Sequence, residues 1–109
     1  MHYAVEALAP FLRELKRLSK KYPSLLDDVE RLGEELSVHP QLGTPLGNQC
    51  FKIRLAIRSK GRGKSGGARV ITYVKVSRRT VYLLDLYDKS ESASLTPAEM
   101  KALLAWLPR

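Results

Sequence analysis

A chain of 109 residues, 44% hydrophobic and 28% charged, is long enough to close one core and too short for two ordinary domains. A single cysteine excludes an internal disulfide, and it makes no zinc site of recognisable spacing with the two histidines. Nineteen basic residues against eleven acidic give +8, a balance that points to a polyanionic partner, either nucleic acid or an anionic membrane face.

In chain order, residues 2–6 read as a short strand. Leu8, Phe11, Leu12, Leu15 and Leu18 then recur at helical spacing, with Arg13, Glu14, Lys16 and Arg17 opposite. Tyr22-Pro23 ends that helix. Ser24 is the expected N-cap of a second, with Asp27 and Asp28 in its first turn, where the helix dipole favours anions. Leu25, Val29, Leu32 and Leu36 carry it to His39-Pro40. The period then changes. Phe51, Ile53, Leu55 and Ile57 alternate with Lys52, Arg54, Ala56 and Arg58, as in a half-buried strand. Residues 59–67 form a Gly-rich loop, and strands follow over 68–76 and 81–87. Thr96-Pro97-Ala98-Glu99 is a capping box that opens a last helix with Met100, Leu103, Leu104 and Leu107 on one stripe. The order β-α-α-β-β-β-α predicts one α+β domain over 1–109: a helical hairpin packed on a small antiparallel sheet, with a C-terminal helix. If helices cover one face of the sheet, the cations line the other.

The charge is concentrated. Leu36 to Leu84 contains no Asp or Glu and carries +10, while the rest of the chain carries −2. That block marks a dedicated anion site rather than an ordinary solvated face. No apolar run approaches the length of a membrane span, and the first residues have no signal-peptide pattern, so a cytoplasmic protein is expected. Gly63-Lys64-Ser65 suggests a phosphate loop, but Arg58 stands where that motif needs its first glycine, and the loop joins two strands. The better reading is a basic hairpin, with Arg58, Lys60, Arg62 and Lys64, that reaches a nucleic-acid backbone. Lys52 and Arg54 project from one strand face about 7 Å apart. Arg69 lies across the hairpin and Lys89 follows the third strand, so four cations converge where a phosphate would be bound or cleaved.

Tyr73, Tyr82 and Tyr87 lie in strands, from which an aromatic ring stacks on a base or packs in the core. Trp106 and Cys50 read as packing residues without chemistry. No Ser-His-Asp or Cys-His set is visible, and Asp85 and Asp88 are too isolated for a two-metal centre. A nuclease on this chain would be metal-free, need no cofactor and make little use of histidine.

Three runs carry a family resemblance: Cys50-Phe51-Lys52-Ile53-Arg54-Leu55, then Ser59 to Tyr73 with its K-G-x-G-K-x-G-G-x-R hairpin, and Tyr82 to Lys89. Together they resemble the RelE/ParE superfamily of bacterial toxins, nearest in motif to the RelE/HigB-type group, and the element order fits over nearly the whole chain. The resemblance implies a microbial-RNase-like fold and the toxin half of a type II toxin–antitoxin pair, neutralised by a cognate antitoxin. It implies ribosome-dependent cleavage of mRNA in the A site, without metal, by attack of the 2′-hydroxyl on the adjacent phosphate. Carried over by position, Lys52 is the proton acceptor, its pKa lowered by Arg54 and its neighbours. Arg54 and Arg69 stabilise transition-state charge, and Lys89 protonates the leaving oxygen or clamps phosphate. Arg58, Lys60, Arg62, Lys64, Tyr73 and Tyr87 are the expected RNA contacts. No tyrosine follows Tyr87, and no His or Glu stands in the central strands. The superfamily also contains ParE-type members that poison gyrase, and a plain RNA-binding domain is the other alternative.

Overall fold

The computed structural model describes residues 2–61, 63–92 and 94–109. Its elements are β1 (Ala4–Ala7), α1 (Ala9–Ser19), α2 (Leu25–Val38), β2 (Thr44–Gly47), β3 (Cys50–Leu55), β4 (Ala68–Lys75), β5 (Thr80–Asp88) and α3 (Pro97–Leu104). Single turns of 3-10 helix follow β3 and β4. The strands form one sheet in the order β1-β5-β4-β3-β2. Among the described residues no helix is long and apolar enough to cross a membrane.

The sheet is mixed rather than purely antiparallel, because β1 runs parallel to β5 at one edge. The other edge is β2, absent from the sequence reading because Thr44-Pro45-Leu46-Gly47 looks like loop. Proline lacks the N–H that a central strand needs, but an edge strand tolerates it. β2 joins β3 through Asn48 and Gln49, both at positive φ (52° and 64°), the conformation of a two-residue hairpin turn whose twist matches the strands.

Two cores form, one on each side of the sheet. Phe11 and Leu18 of α1 and Leu25, Leu32 and Leu36 of α2 pack on Ile53, Leu55, Val70, Val74, Val81, Leu83 and Leu86. Leu12 falls off this stripe and is half exposed. The second core joins Cys50, Ile71, Tyr82, Leu84 and Tyr87 to Leu103 of α3, with Met100, Leu104 and Leu107 beside it. The second sheet face is therefore not all cationic: α3 covers part of it. Trp106 is 52% exposed, so it contributes little to this packing.

β5 serves both cores through a bulge. Thr72 pairs with Leu83 and Ile71 with Asp85, which leaves Leu84 as an extra residue. Val81 and Leu83 before the bulge and Leu86 after it consequently share the first core, while Tyr82, Leu84 and Tyr87 enter the second. The capping box of α3 forms as expected: Glu99 N–H donates to Thr96 Oγ1 at 3.1 Å, and Thr96 N–H to Glu99 Oε1 at 2.9 Å. Ser24 does not cap α2. Its hydroxyl donates instead to Asp28 Oδ2 at 2.7 Å.

Candidate active site

The antiparallel ladder aligns the predicted cations. Arg54 on β3 pairs with Arg69 on β4, which pairs with Tyr87 on β5, in one row across three strands. The next row is Lys52, Ile71 and Asp85. Alternation of side chains puts both rows on the face away from α1 and α2. Lys52 is half-buried, Arg54 exposed and Arg69 only 5% exposed.

Arg69 is held by backbone carbonyls: its guanidinium donates to Lys64 O and Ala68 O at 3.0 Å and to Ser65 O at 3.3 Å. A planar fork of donors suits this, and the result is a hairpin folded onto its own arginine. Among the described residues no ion pair involves Lys52, Arg54 or Arg69. Three cations thus share one sheet face without a neutralising carboxylate, which is the electrostatics of an anion site.

Lys89 follows β5 and is exposed, its backbone N–H donating to Gly67 O at 3.0 Å. That bond fixes its position beside the base of the hairpin. Lys64 is exposed on the hairpin itself. Arg62 lies outside the described residues.

Arg58 and Lys60 go elsewhere. The strand stops at Leu55, and the 3-10 turn over Arg58–Lys60 swings toward the corner between α1 and α2. Arg58 Nε donates to Asp28 Oδ1 at 2.7 Å, and its backbone N–H to Asp28 Oδ2 at 3.1 Å. Lys60 Nζ donates to Asp88 Oδ1 at 2.8 Å and sits 5.4 Å from the centre of the Tyr22 ring. Asp88 also accepts from the Tyr22 hydroxyl and from Ser90. Burial pushes Asp88 upward, but the bonds from Lys60, Tyr22 and Ser90 outweigh it and hold the carboxyl well below the usual range. Asp28 behaves alike: burial opposes its charge, and the bonds from Arg58 and Ser24 still lower its pKa. These partners are far apart in sequence, so strand alternation gives no hint of them.

Tyr73 is half-buried, its ring 6.4 Å from that of Tyr82, and it lies four residues along β4 from Arg69, or about 13 Å. Tyr87 is 8% exposed under α3, and its buried hydroxyl has no hydrogen-bond partner among the described residues. Burial raises its pKa, which Arg69 opposes and Asp85 reinforces. Tyr87 separates two clefts, one shared with Lys52 and Ile71, the other with Asp85, Glu14 and Glu99.

Sequence spacing sets Asp85 aside as too isolated for a two-metal centre and gives it no other role. Burial raises its pKa to about 6, against a backbone hydrogen bond from Leu86 and with help from Glu14 and Glu99. The available signal was an acid between Leu84 and Leu86 in the apolar middle of a strand. Cys50 is buried as expected, and burial pushes its thiol up to about 11, so it stays protonated at neutral pH.

A family model described as the RelE toxin of the RelE/RelB toxin–antitoxin system matches residues 11–106. The chain belongs to the RelE toxin family. It is a RelE-type toxin of a toxin–antitoxin system. Solved structures agree on the fold. An arginine double mutant of E. coli toxin RelE in the free state superposes with a TM-score of 0.61 at 17% identity, over 85% of this chain and 90% of that one. The toxin–antitoxin complex RelBE2 from Mycobacterium tuberculosis gives 0.61 at 22% identity, over 81% of this chain and 99% of that one. The intact E. coli RelBE complex gives 0.60 at 17% identity, over 79% and 95%. Helices on a mixed five-stranded sheet, with a C-terminal helix, are therefore the RelE fold here too.

Proposed function

We propose that this RelE-type toxin is an endoribonuclease that cuts mRNA on the ribosome, in the cytoplasm, and is silenced by the antitoxin of its pair. The observation that carries this reading is the row Arg54–Arg69 with Lys52 beside it: three cations on one sheet face with no carboxylate paired to them. An RNA phosphate placed against them meets Arg69, already held by the backbone of its hairpin, with Arg54 and Lys52 beside it, and charge that builds on the phosphorane-like transition state is stabilised there. Lys52, reacting as its neutral amine, takes the proton of the 2′-hydroxyl on its lone pair as that oxygen bonds to phosphorus. Arg54 and Arg69 hold the non-bridging oxygens as charge builds on them. The bond from phosphorus to the 5′-oxygen breaks, Lys89 protonates that oxygen, and a 2′,3′-cyclic phosphate remains. Lys64 and the exposed half of Arg58 extend the positive surface along the RNA backbone, while Lys60 braces Asp88. With α3 docked, Tyr87 is covered, so base stacking falls to the half-exposed Tyr73.

The test is induced expression in a bacterial host with 5′-end mapping of mRNA. Arg54→Ala is the cleanest variant, because Arg54 is exposed and, among the described residues, its side chain makes no bond of the kind that ties Arg69 to its hairpin. Wild type should cut within translated codons, and Arg54→Ala should lower the cut fraction about 100-fold with an unchanged melting temperature. Growth arrest with intact transcripts would replace this reading with gyrase poisoning. Absence of both would leave an RNA-binding domain.

A further inference from the structure

The turn after β5 is anchored on both sides of Lys89. Asp88, fully buried, ends the strand, and its ladder partner Ala68 belongs to the first core, so its carboxylate points toward α1 and α2. Three segments donate to it there. They are the Tyr22 hydroxyl at the α1–α2 corner, Lys60 Nζ at 2.8 Å from the start of the hairpin, and Ser90, whose N–H and hydroxyl reach Oδ1 at 3.0 and 2.8 Å. The Ser90 bonds close a turn over Lys89 itself. Beyond it the Glu91 carboxylate accepts a bidentate pair of bonds from Arg17 of α1, at 2.8 and 3.2 Å.

Lys89 stands between these anchors and faces the other way. Its N–H donates to Gly67 O, which extends the β4–β5 ladder by one residue. Alternation then turns its side chain to the face that carries Tyr87, Arg69 and Arg54, about 7 Å along the strand from that row. Lys89 is exposed and forms no ion pair among the described residues. The direction of Lys89 is thus set by where Asp88 is held. A buried carboxylate is a poor device for stability alone, since an apolar residue of similar volume often does as well without the desolvation cost. What the carboxylate adds here is a fixed strand end and a fixed turn. We infer that Asp88 is a positioning residue of the reaction: tied to Tyr22, Lys60 and Ser90, it aims the Lys89 ammonium at the 5′-oxygen that leaves the phosphate. The inference rests on the nuclease reading of the site. In the step concerned the bond from phosphorus to the 5′-oxygen breaks, that oxygen takes a proton from Lys89 Nζ, and the neutral amine recovers its proton from water. A flexible four-carbon stem reaches one place reproducibly only if its root is fixed.

The test is single-turnover cleavage by the full chain on ribosomes programmed with mRNA, with either oxygen or sulfur as the bridging 5′-atom at the mapped cut. A thiolate leaves without a proton and an alkoxide does not, so only the oxygen substrate needs Lys89. Asp88→Asn should slow cleavage about 30-fold on oxygen and less than about threefold on sulfur. Lys89→Ala should show the same split, and Asp88→Asn added to it should cost little more. Tyr22→Phe removes one donor to Asp88 and keeps the ring beside Lys60, so it asks the same question with less disturbance of the fold. A loss of about fivefold on oxygen alone is expected for it. Equal losses on both substrates would make Asp88 a structural residue and overturn the inference. Cleavage of the oxygen substrate at the wild-type rate by either variant would overturn it as well. A wild type that cuts neither RNA removes the nuclease reading and this inference with it, whereas a wild type that cuts both, with equal losses in the variants, removes this inference alone.

Discussion

At Asp85 burial works against charge, Glu14 and Glu99 add repulsion, and the backbone hydrogen bond from Leu86 offsets only part of the cost. Its folded-state pKa of about 6 lies above the unfolded value of about 4. The folded protein therefore binds more protons than the unfolded chain between those values, and stability falls as pH rises through the window. Above pH 6 the full cost is present. Asp85→Asn removes the charge and keeps an oxygen that can accept from Leu86. It should raise stability by about 1–2 kcal/mol at pH 7.5, discounted for partial exposure, and by almost nothing at about pH 3. Urea denaturation of both proteins at the two pH values measures this directly. Because Asp85 opens on a cleft separated by Tyr87 from that of Lys52, the variant should still cut mRNA. A large loss of cleavage with the stability gain would instead place Asp85 in the reaction.

The elements differ in how openly the sequence declares them. α1, α2, β3, β4 and the capping box of α3 follow from spacing and end signals that act locally. β2 hides behind Pro45 and Gly47, and its evidence is tertiary: a partner strand and a two-residue turn. The β5 bulge is equally silent, since Val81 to Tyr87 reads as a nearly continuous apolar run until Leu84 is recognised as the residue that shifts the phase. Of the site, the Lys52, Arg54 and Arg69 cluster is legible because alternation and a short hairpin suffice to build it. The fate of Arg58 and Lys60 is not, because their partners Asp28 and Asp88 lie 30 and 28 residues away. Glycines test the same distinction between local and tertiary control. Gly33 lies within α2 with nothing within 4 Å of an added Cβ, whereas a Cβ on Gly67 would lie 2.1 Å from Leu55 O, where β3 and β4 meet at the base of the hairpin. Gly33→Ala should stabilise the protein by about 1 kcal/mol through helix propensity. Gly67→Ala should destabilise it by about 3 kcal/mol through forced backbone displacement. Thermal melts of the two variants should move in opposite directions, and a harmless Gly67→Ala would mean the strands are not packed this closely.

Across the whole molecule the positive charge is divided between two tasks. Arg58 and Lys60 fasten the start of the hairpin to the α1–α2 corner through Asp28 and Asp88, with Ser59 N–H donating to Ser24 Oγ at 2.8 Å between them. Lys52, Arg54 and Arg69 form no ion pair among the described residues, and in the proposed function they meet the RNA phosphate. The fastening has its own pH dependence, opposite in sign to that of Asp85. Asp28 and Asp88 have folded-state pKa values below the unfolded carboxylate, so their contribution is fully present above about pH 4 and is lost as pH falls toward those depressed values. Combined with the loss from Asp85 between about pH 4 and 6, these three carboxyls put the stability maximum near pH 4 rather than at neutrality. Asp88→Asn isolates the acid limb. It leaves the Lys60 ammonium, 12% exposed, without its carboxylate, and should cost about 3 kcal/mol at pH 7. The penalty should shrink as pH falls below 4, where Asp88 of the unfolded wild-type chain takes up a proton that the folded protein does not bind. Urea midpoints from pH 3 to 8 would reveal both the maximum and the convergence. A penalty that stayed constant down to pH 3 would show that Asp88 acts through packing and not through its charge.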